Sequence, residues 1–298
     1  MILTMACADS NRTRRLIDAT IGVDGYQLRP ATMPVEEMFR RAFDAAEFDI
    51  SELSASTFLL HAGRGDCAYV GIPVFPSRAF RHSAIYVRTD GDVVEPRDLR
   101  GRIVGVRNYL NTAGLVVRGL LADSYGVAST DITWRVGDID RVERKTISIP
   151  QLARPTDIRP ALGTPLADML MAGEIDALVH YDPPRGFGGD RPQIRRLFPD
   201  PAEAERRYFK ATGIFPIMHL VGVRRSLLEH DPSLARKVYD AFSRAKDAKM
   251  PEAAASWPYG VARNASALES LARYAFEQGL TDRLLQFNEL FASDLLAT

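Results

Sequence analysis

The chain has 298 residues, enough for about two domains at ~150 residues each, and its 46% hydrophobic composition can bury a sizeable core. Its 38 basic residues are balanced by 38 acidic residues, which argues against a nucleic-acid-binding protein and a polybasic membrane-surface protein. The two cysteines, Cys7 and Cys67, exclude a disulfide scaffold and a clustered thiolate metal site.

The first ten residues carry neither a basic region nor a long apolar run, so we expect no secretory signal. No segment reaches the ~18 consecutive apolar residues that a membrane span requires. We therefore expect a soluble, cytoplasmic protein that binds a small molecule and has no nucleic-acid or membrane partner. Self-association into a homo-oligomer is left open.

Short apolar segments alternate with amphipathic ones, which is typical of an α/β fold. In the first third of the chain, the pattern predicts helices over residues 34–43 and 51–62 and strands over residues 69–75 and 83–87. Pro34 suits the first position of the earlier helix, and its apolar residues recur on one face.

The same alternation continues through the rest of the chain. Asn111 or Thr112 can cap the helix that follows the strand at 103–106. Residues 141–163 lack periodicity and contain several prolines, so they are predicted to be a long loop. The other predicted elements are strands over 132–136, 175–179 and 215–223 and helices over 165–172, 232–249, 265–278 and 282–292.

This order predicts two α/β lobes, one inserted into the other. The first lobe is expected to comprise residues 1–92 and 214–298, and the inserted lobe residues 93–213. Two crossings between lobes would leave a cleft, where small ligands usually bind.

The segment between the strands at 69–75 and 83–87 is rich in groups that recognise anions. Arg78 and Arg81 are candidates for holding an anion, with Ser83 as a further contact. His82 could carry a proton at neutral pH. The alternative interpretation is a surface turn with solvated arginines.

Two strand-to-helix turns are further candidates for binding an anion. Arg12 and Arg14 follow the first apolar segment, where α/β sheets present ligand-binding loops. Asn108 and Thr112 lie in the equivalent turn of the inserted unit. An exposed basic turn explains the first pair equally well, and ordinary helix capping explains the second.

Three more residues are candidates for acid–base or binding roles. Glu52 lies among small polar residues, so it could act in acid–base chemistry or cap a helix. His219 lies within an apolar strand, where a histidine is more often a core residue than a catalyst. His180 ends a predicted strand and could face a ligand.

Several established motifs are missing from the sequence. It has no HxxxH, HExxH or CxxC spacing for a metal. The glycine-rich segments 63–65 and 186–189 match neither a P-loop nor a dinucleotide-binding motif. A serine hydrolase is also disfavoured, because GxSxG does not occur.

Four segments resemble the 4,5-dihydroxyphthalate decarboxylase family: DISELS at 49–54, IPVFPSRAFRHS at 72–83, GIFPIMH at 213–219 and WPYG at 257–260. RTR at 12–14, DLRG at 98–101, GEIDAL at 173–178 and EQGL at 277–280 fit the same pattern. The resemblance follows the family's order over nearly the whole chain. Two segments depart from it, namely RNYLNT at 107–112 and a shorter stretch before Trp257.

This resemblance implies a type 2 periplasmic-binding-protein fold. It also implies non-oxidative removal of one carboxylate from a hydroxylated aromatic acid such as 4,5-dihydroxyphthalate, giving protocatechuate, as a step of phthalate degradation. The two departures concern the identity of the substrate more than the type of reaction. Fold alone does not establish the activity, since many proteins with this architecture bind solutes.

A mechanistic hypothesis follows from this chemistry. His82 is expected to donate a proton to the ring carbon, and Arg78 and Arg81 to hold the carboxylates, with Arg12 and Arg14 as second choices. Glu52 or His219 would handle the hydroxyl group.

No organic cofactor is expected for this reaction. A divalent metal held by Glu52, a histidine and catechol oxygens is left open. The competing interpretations are an aromatic-acid-binding protein of the same fold, which catalyses nothing, and a lyase acting on a chorismate- or futalosine-like substrate.

Overall fold

The computed structural model describes residues 1–142, 149–247 and 257–298. The chain divides into two compact units. The first contains residues 1–78, 217–272 and 284–298, and the second contains residues 79–216 and 273–283. The predicted lobe boundary near residue 92 lies beyond the crossing that the structure shows at 78/79.

A five-stranded sheet in the order β2-β1-β3-β11-β4 forms the centre of the first unit. Its first three strands are mutually parallel, and β11 is antiparallel to both β3 and β4. β4 therefore runs in the same direction as β1 and β3. The strands are β1 (Ile2–Ala6), β2 (Gln27–Ala31), β3 (Ile50–Ser54), β4 (Tyr69–Arg78) and β11 (Ile217–Arg224).

A six-stranded sheet in the order β10-β5-β9-β6-β7-β8 forms the centre of the second unit. β9, β6, β7 and β8 are parallel, whereas β5 is antiparallel to both of its neighbours. The second unit begins before residue 92 because β5 pairs in this sheet. The strands are β5 (Ile85–Arg88), β6 (Ile103–Val106), β7 (Thr133–Val136), β8 (Ile158–Pro160), β9 (Ala177–Val179) and β10 (Ile194–Arg196).

The observed helices agree with those predicted from the sequence where local capping signals mark the helix ends. Asn111 caps α4 by accepting a hydrogen bond from Gly114 N at 2.5 Å, and Gly126 ends it in a left-handed conformation. The helices are α1 (Arg14–Ile17), α2 (Val35–Ala45), α3 (Ala55–Arg64), α4 (Thr112–Tyr125), α5 (Leu166–Ala172), α6 (Pro201–Thr212), α7 (Arg225–His230), α8 (Leu234–Asp247), α9 (Ala265–Glu277) and α10 (Phe287–Leu290).

The predicted helix over residues 51–62 is wrong in its first turn. Residues 51–54 belong to β3, and all of them are buried. Successive side chains of a strand point to opposite faces of the sheet, and all five residues of β3 are buried, so both faces of this central strand are covered and its sequence shows no alternation. Helix α3 begins only at Ala55.

Other predicted elements differ in extent. The predicted helix over 282–292 is a single turn, because Ala292 N donates a hydrogen bond to Gly71 O in β4 at 3.1 Å instead of continuing the helix. β8 lies within the segment predicted as a loop over 141–163, of which residues 143–148 are outside the described part. The end of the predicted helix over 232–249 also lies outside the described residues. Helix α6 is an element that the hydrophobic pattern did not predict.

Candidate functional site

Four of the candidate residues lie at one edge of the sheet in the first unit. β1, β3 and β4 end at this edge, and the antiparallel β11 begins there. Arg12 follows β1, Glu52 lies in β3, Arg78 ends β4, and His219 is the third residue of β11. The carboxyl ends of parallel strands are the usual ligand-binding edge of open α/β sheets.

Glu52 and His219 form a hydrogen-bonded pair across two adjacent strands. In the antiparallel register, Glu52 lies opposite Val221 and His219 lies opposite Ser54. The two side chains are therefore diagonal neighbours on one face of the sheet. Glu52 Oε1 and His219 Nδ1 are 2.6 Å apart. A carboxylate can only accept, so Nδ1 carries the proton in this pair, and Nε2 is the ring nitrogen that Glu52 does not bind.

Burial fixes the Glu52 carboxylate in place. The side chain is 2% exposed, and Ala8 N donates a hydrogen bond of 2.9 Å to its second oxygen, Oε2. Both oxygens are thus engaged, which is what a buried carboxylate needs to offset its desolvation. Burial raises the pKa of the neighbouring Cys7 thiol, and the charge of Glu52 raises it further. Cys7 therefore stays protonated and is unsuited to nucleophilic or metal-binding chemistry.

His219 is more accessible than its partner. Its side chain is 19% exposed, and the ring of Phe39 packs edge-on against it with centroids 4.9 Å apart. The imidazole is thus oriented by a carboxylate on one side and supported by an aromatic ring. This arrangement suits a group that exchanges protons through Nε2.

Arg12 is half-buried and held through one nitrogen. Its Nε donates a hydrogen bond of 3.0 Å to Pro76 O, and its guanidinium carbon lies 4.0 Å from the centroid of the Trp257 ring. Within the part of the chain that the structure describes, no acidic side chain pairs with Arg12.

The guanidinium of Arg78 contributes to the packing of the first unit. Arg78 is buried, and its Nη2 donates hydrogen bonds to Pro258 O at 3.0 Å and to Asn264 Oδ1. Burial lowers the pKa of Arg78 to about 10, so it stays charged at neutral pH. Asn264 Nδ2 in turn donates to Pro258 O and Gly260 O. Arg78 thereby ties the end of β4 to the segment 258–264.

Arg14 is an exposed residue paired with a neighbouring acid. Its Nε and Nη2 each donate a hydrogen bond of 2.8 Å to the Asp9 carboxylate, and both side chains are about half exposed. This bidentate pair uses the donors with which Arg14 would bind an anion. The structure therefore does not favour Arg14 as a substrate contact.

His82 lies in the second unit, in a short 3-10 turn, and only 2% of it is exposed. Its ring packs against Phe198 and Tyr208, with centroids 5.2 and 5.4 Å away, and Nδ1 has no hydrogen bond to any described residue. Burial lowers the pKa of His82 from 6.5 to about 4. At neutral pH only about one ring in a thousand is protonated, so these surroundings do not favour His82 as a proton donor.

The remaining candidates also belong to the second unit. Burial lowers the pKa of Arg81. Ser83 shares the short turn of His82. Asn108 Oδ1 accepts a hydrogen bond from Leu110 N at 2.9 Å, which is a local turn interaction. Buried Thr112 begins α4, and His180 is buried after β9.

Sequence reasoning missed several groups at the edge of the first sheet. Ala8 acts through its backbone N–H, which no side-chain pattern reveals. Phe39 was recognised only as an apolar residue of a helix. Trp257 and Asn264 are distant in sequence from the residues they contact, although WPYG at 257–260 was one of the segments that carried the family resemblance.

Two negative findings apply to the described residues. Across 1–142, 149–247 and 257–298, no group of three or more histidine, cysteine or acidic side chains is arranged to hold a metal ion. Over the same ranges, no helix combines the length and apolar character needed to cross a membrane.

The two-sheet α/β architecture places the chain in the periplasmic-binding-protein-like class and confirms the predicted fold class. It is similar to the periplasmic aliphatic sulphonate binding protein SsuA from Escherichia coli, with a TM-score of 0.54 and 14% identity, covering 100% of this chain and 99% of that one. The putative sulfonate-binding SsuA from Methylobacillus flagellatus gives a TM-score of 0.51 and 13% identity, covering 100% and 93%. Identities this low establish the fold alone.

Comparison with curated protein sequences identifies the family as well as the fold. The chain is 34% identical to 4,5-dihydroxyphthalate decarboxylase from Comamonas testosteroni over 317 aligned residues, covering 97% of this chain and 96% of that protein. The enzyme of the same name from Pseudomonas putida is 34% identical over 210 residues, covering 70% and 81%. No protein-family model matches. The chain belongs to the 4,5-dihydroxyphthalate decarboxylase family, which confirms the resemblance.

Proposed function

We propose that this protein is a non-oxidative decarboxylase of a hydroxylated aromatic carboxylic acid such as 4,5-dihydroxyphthalate. The products would be CO2 and, from that substrate, protocatechuate, which gives the protein a role in the breakdown of phthalates. Kinship to the decarboxylases supports the substrate class. The observation that carries the proposal is the Glu52–His219 pair, in which a buried carboxylate orients a partly exposed imidazole.

The chemistry requires an acid close to the aromatic ring. Direct loss of CO2 from an arene would leave an aryl anion, which is prohibitively basic. A hydroxyl group para to the departing carboxylate donates electron density, so the ring carbon that bears the carboxylate can be protonated first. The bond to the carboxylate then breaks, its electron pair returns to the ring, and aromaticity is restored.

His219 is the proton donor in this proposal. Its protonated form holds one N–H at Nδ1, bonded to Glu52, and offers the other, at Nε2, to the ring carbon. The negative carboxylate of Glu52 stabilises the imidazolium and fixes the orientation of the ring, as an acid behind a catalytic histidine does in other enzymes. After the transfer His219 is neutral and regains a proton from solvent before the next turnover.

This assignment moves the acid from His82 to His219. His82 is buried among aromatic rings, has a lowered pKa, and lacks an acidic partner among the described residues. His219 has an acidic partner and an exposed edge. A positioned general acid contributes roughly 10²–10⁴-fold to a rate, and the better-oriented histidine is the better candidate for that contribution.

Incubation of the purified protein with 4,5-dihydroxyphthalate and a panel of hydroxylated benzoates and phthalates tests the proposal. We expect CO2 release from substrates with a hydroxyl group para to a carboxylate. In D2O the product should carry one deuterium at the carbon that lost the carboxylate.

Each of the other outcomes has a specific meaning. Binding of the panel without CO2 release would identify an aromatic-acid-binding protein. If the protein neither binds any compound of the panel nor releases CO2, the proposal is overturned. That result would favour a lyase with a different substrate, of the chorismate- or futalosine-like kind. Release of CO2 without deuterium at that carbon would contradict protonation of the ring.

A further inference from the structure

Two side chains of the first unit are held side by side by consecutive carbonyl groups of β4. Trp257 Nε1 donates a hydrogen bond of 2.8 Å to Phe75 O, and Arg12 Nε donates one of 3.0 Å to Pro76 O. The guanidinium of Arg12 lies over the Trp257 ring, 4.0 Å from its centroid. Each member of the pair is thus anchored to the strand and also contacts the other.

This arrangement leaves the most useful donors of Arg12 unused. Neither Nη1 nor Nη2 has a hydrogen bond to any described residue, and Arg12 has no ion pair among them. Arg14, two positions later, differs because Asp9 occupies its donors. Stacking uses the face of a guanidinium, so the N–H groups in its plane remain available to a ligand.

We propose that Arg12, fixed against Trp257, is a carboxylate-binding clamp, and that Trp257 is its positioning residue. The ligand class is a carboxylic acid, whose two oxygens would accept parallel hydrogen bonds from the guanidinium. The inference rests on the proposed function only in taking the substrate's carboxylate as the natural occupant. Binding of a carboxylate needs no turnover and can be measured by itself.

The position of Arg12 relates the clamp to the acid–base pair. Pro76 precedes Ser77, which is the register partner of His219. The loop that carries Arg12 also orients Glu52, because Ala8 N binds the carboxylate while Ala8 O accepts a hydrogen bond of 2.6 Å from Thr13 Oγ1. One loop therefore supports both the proton-donating pair and the proposed clamp.

Trp257 has a specific task in this arrangement. A free arginine side chain loses considerable conformational entropy when it is ordered by a ligand. The indole, itself held by Phe75 O, orders the guanidinium beforehand and so lowers the cost of binding. Replacing the indole should weaken the binding of a carboxylate only through Arg12.

Calorimetric titration with phthalate tests the clamp, because phthalate has two carboxylates and no hydroxyl group to promote its decarboxylation. For Arg12→Met we expect Kd to rise roughly 10- to 100-fold, and for Arg12→Lys about tenfold, since lysine lacks the bidentate fork. For Trp257→Leu we expect a rise of roughly five- to tenfold, and for Trp257→Phe, which keeps an aromatic face, about threefold. Arg14→Met is the matched control and should bind phthalate as the wild type does.

A double-mutant cycle separates positioning from general structural support. In the Arg12→Met background, Trp257→Leu should change Kd less than about twofold, because the residue through which it acts is gone. An equal effect of Trp257→Leu in both backgrounds would overturn the positioning role. Wild-type affinity in Arg12→Met, in a variant with unchanged circular dichroism, would overturn the clamp. If phthalate binds through Arg12 but no substrate releases CO2, the proposed function fails and the clamp stands. If the wild type releases CO2 but Arg12→Met binds phthalate with wild-type affinity, the clamp fails and the proposed function stands.

Discussion

His219 Nδ1 lies 2.6 Å from Glu52 Oε1, and this hydrogen bond joins two neighbouring strands of the first sheet, β3 and β11. The residues are 167 positions apart in the chain, yet the antiparallel register makes them diagonal neighbours on one face. Because Glu52 is almost fully buried and its other oxygen is bound by Ala8 N, the carboxylate has one orientation, and so does the imidazole.

Replacing Glu52 with glutamine removes the anion but keeps the size of the side chain. The amide cannot stabilise the protonated His219, so we expect CO2 release to fall by roughly 10²-fold or more. Steady-state rates with 4,5-dihydroxyphthalate measure the effect. Glu229→Gln, an exposed substitution on α7, is the control and should leave the rate unchanged. A rate for Glu52→Gln within a few-fold of wild type would refute a role for the carboxylate.

Replacing Arg14 tests whether Arg12 is the carboxylate-binding arginine and Arg14 is not. Its ion pair with Asp9 is exposed, and exposed ion pairs contribute little to stability because solvent screens them. We therefore expect Arg14→Gln to keep the wild-type rate and the wild-type KM, and to leave the stability of the protein nearly unchanged. A large increase in KM would restore Arg14 as a substrate contact.

His82 predicts a pH dependence of stability. Its pKa is about 4 in the folded protein and 6.5 for an unperturbed imidazole, so between these values the unfolded chain binds more protons. The free energy of unfolding is therefore highest, with respect to His82, above pH ~6.5. It decreases as the pH falls to ~4, by about 3 kcal/mol in total, because the unfolded chain takes up a proton that the buried ring does not. In His82→Leu this component disappears. Urea unfolding at pH 7 and pH 4.5 should show a smaller loss for the variant than for the wild type, and equal losses would contradict the burial of a neutral ring.

Gly119 allows a close contact within the second unit. A Cβ at this position would lie 2.4 Å from the ring of Tyr274, whose hydroxyl donates a hydrogen bond to Asp123 at 2.7 Å. Alanine would improve helix propensity by ~1 kcal/mol, but the overlap with a fixed ring costs about 1–3 kcal/mol or more. We expect Gly119→Ala to destabilise the protein in denaturant unfolding. Gly22→Ala, where no atom lies within 4 Å of the added Cβ, is the control and should be nearly neutral.

Local sequence signals predict the fold well where one segment decides its own structure. The amphipathic pattern at 34–43 corresponds to α2 (Val35–Ala45), and Asn111 caps α4 as expected. β3 was misassigned because a central strand with both faces covered shows no alternation, and Glu52 in its middle looks like a helix cap. Its assignment as a strand depends on the pairing with β1 and β11, which the local sequence does not contain.

The candidate site shows the same distinction. Residue chemistry identified Glu52, His219 and Arg12 as candidates, but also His82 and Arg14, which are equally suitable by type. What separates them is the environment. Burial lowers the pKa of His82, and the Asp9 carboxylate accepts the hydrogen bonds that Arg14 could otherwise offer to a ligand. Burial and long-range partners of this kind arise only when the chain folds, so composition and spacing cannot supply them.

The rate of CO2 release from 4,5-dihydroxyphthalate by His219→Asn, compared with wild type and His82→Leu, tests the central claim most directly. We predict a loss of at least about 10²-fold for His219→Asn, with unchanged affinity for phthalate, and near-wild-type release for His82→Leu. A His219→Asn protein that releases CO2 within a few-fold of the wild-type rate would contradict the assignment of His219 as the proton donor.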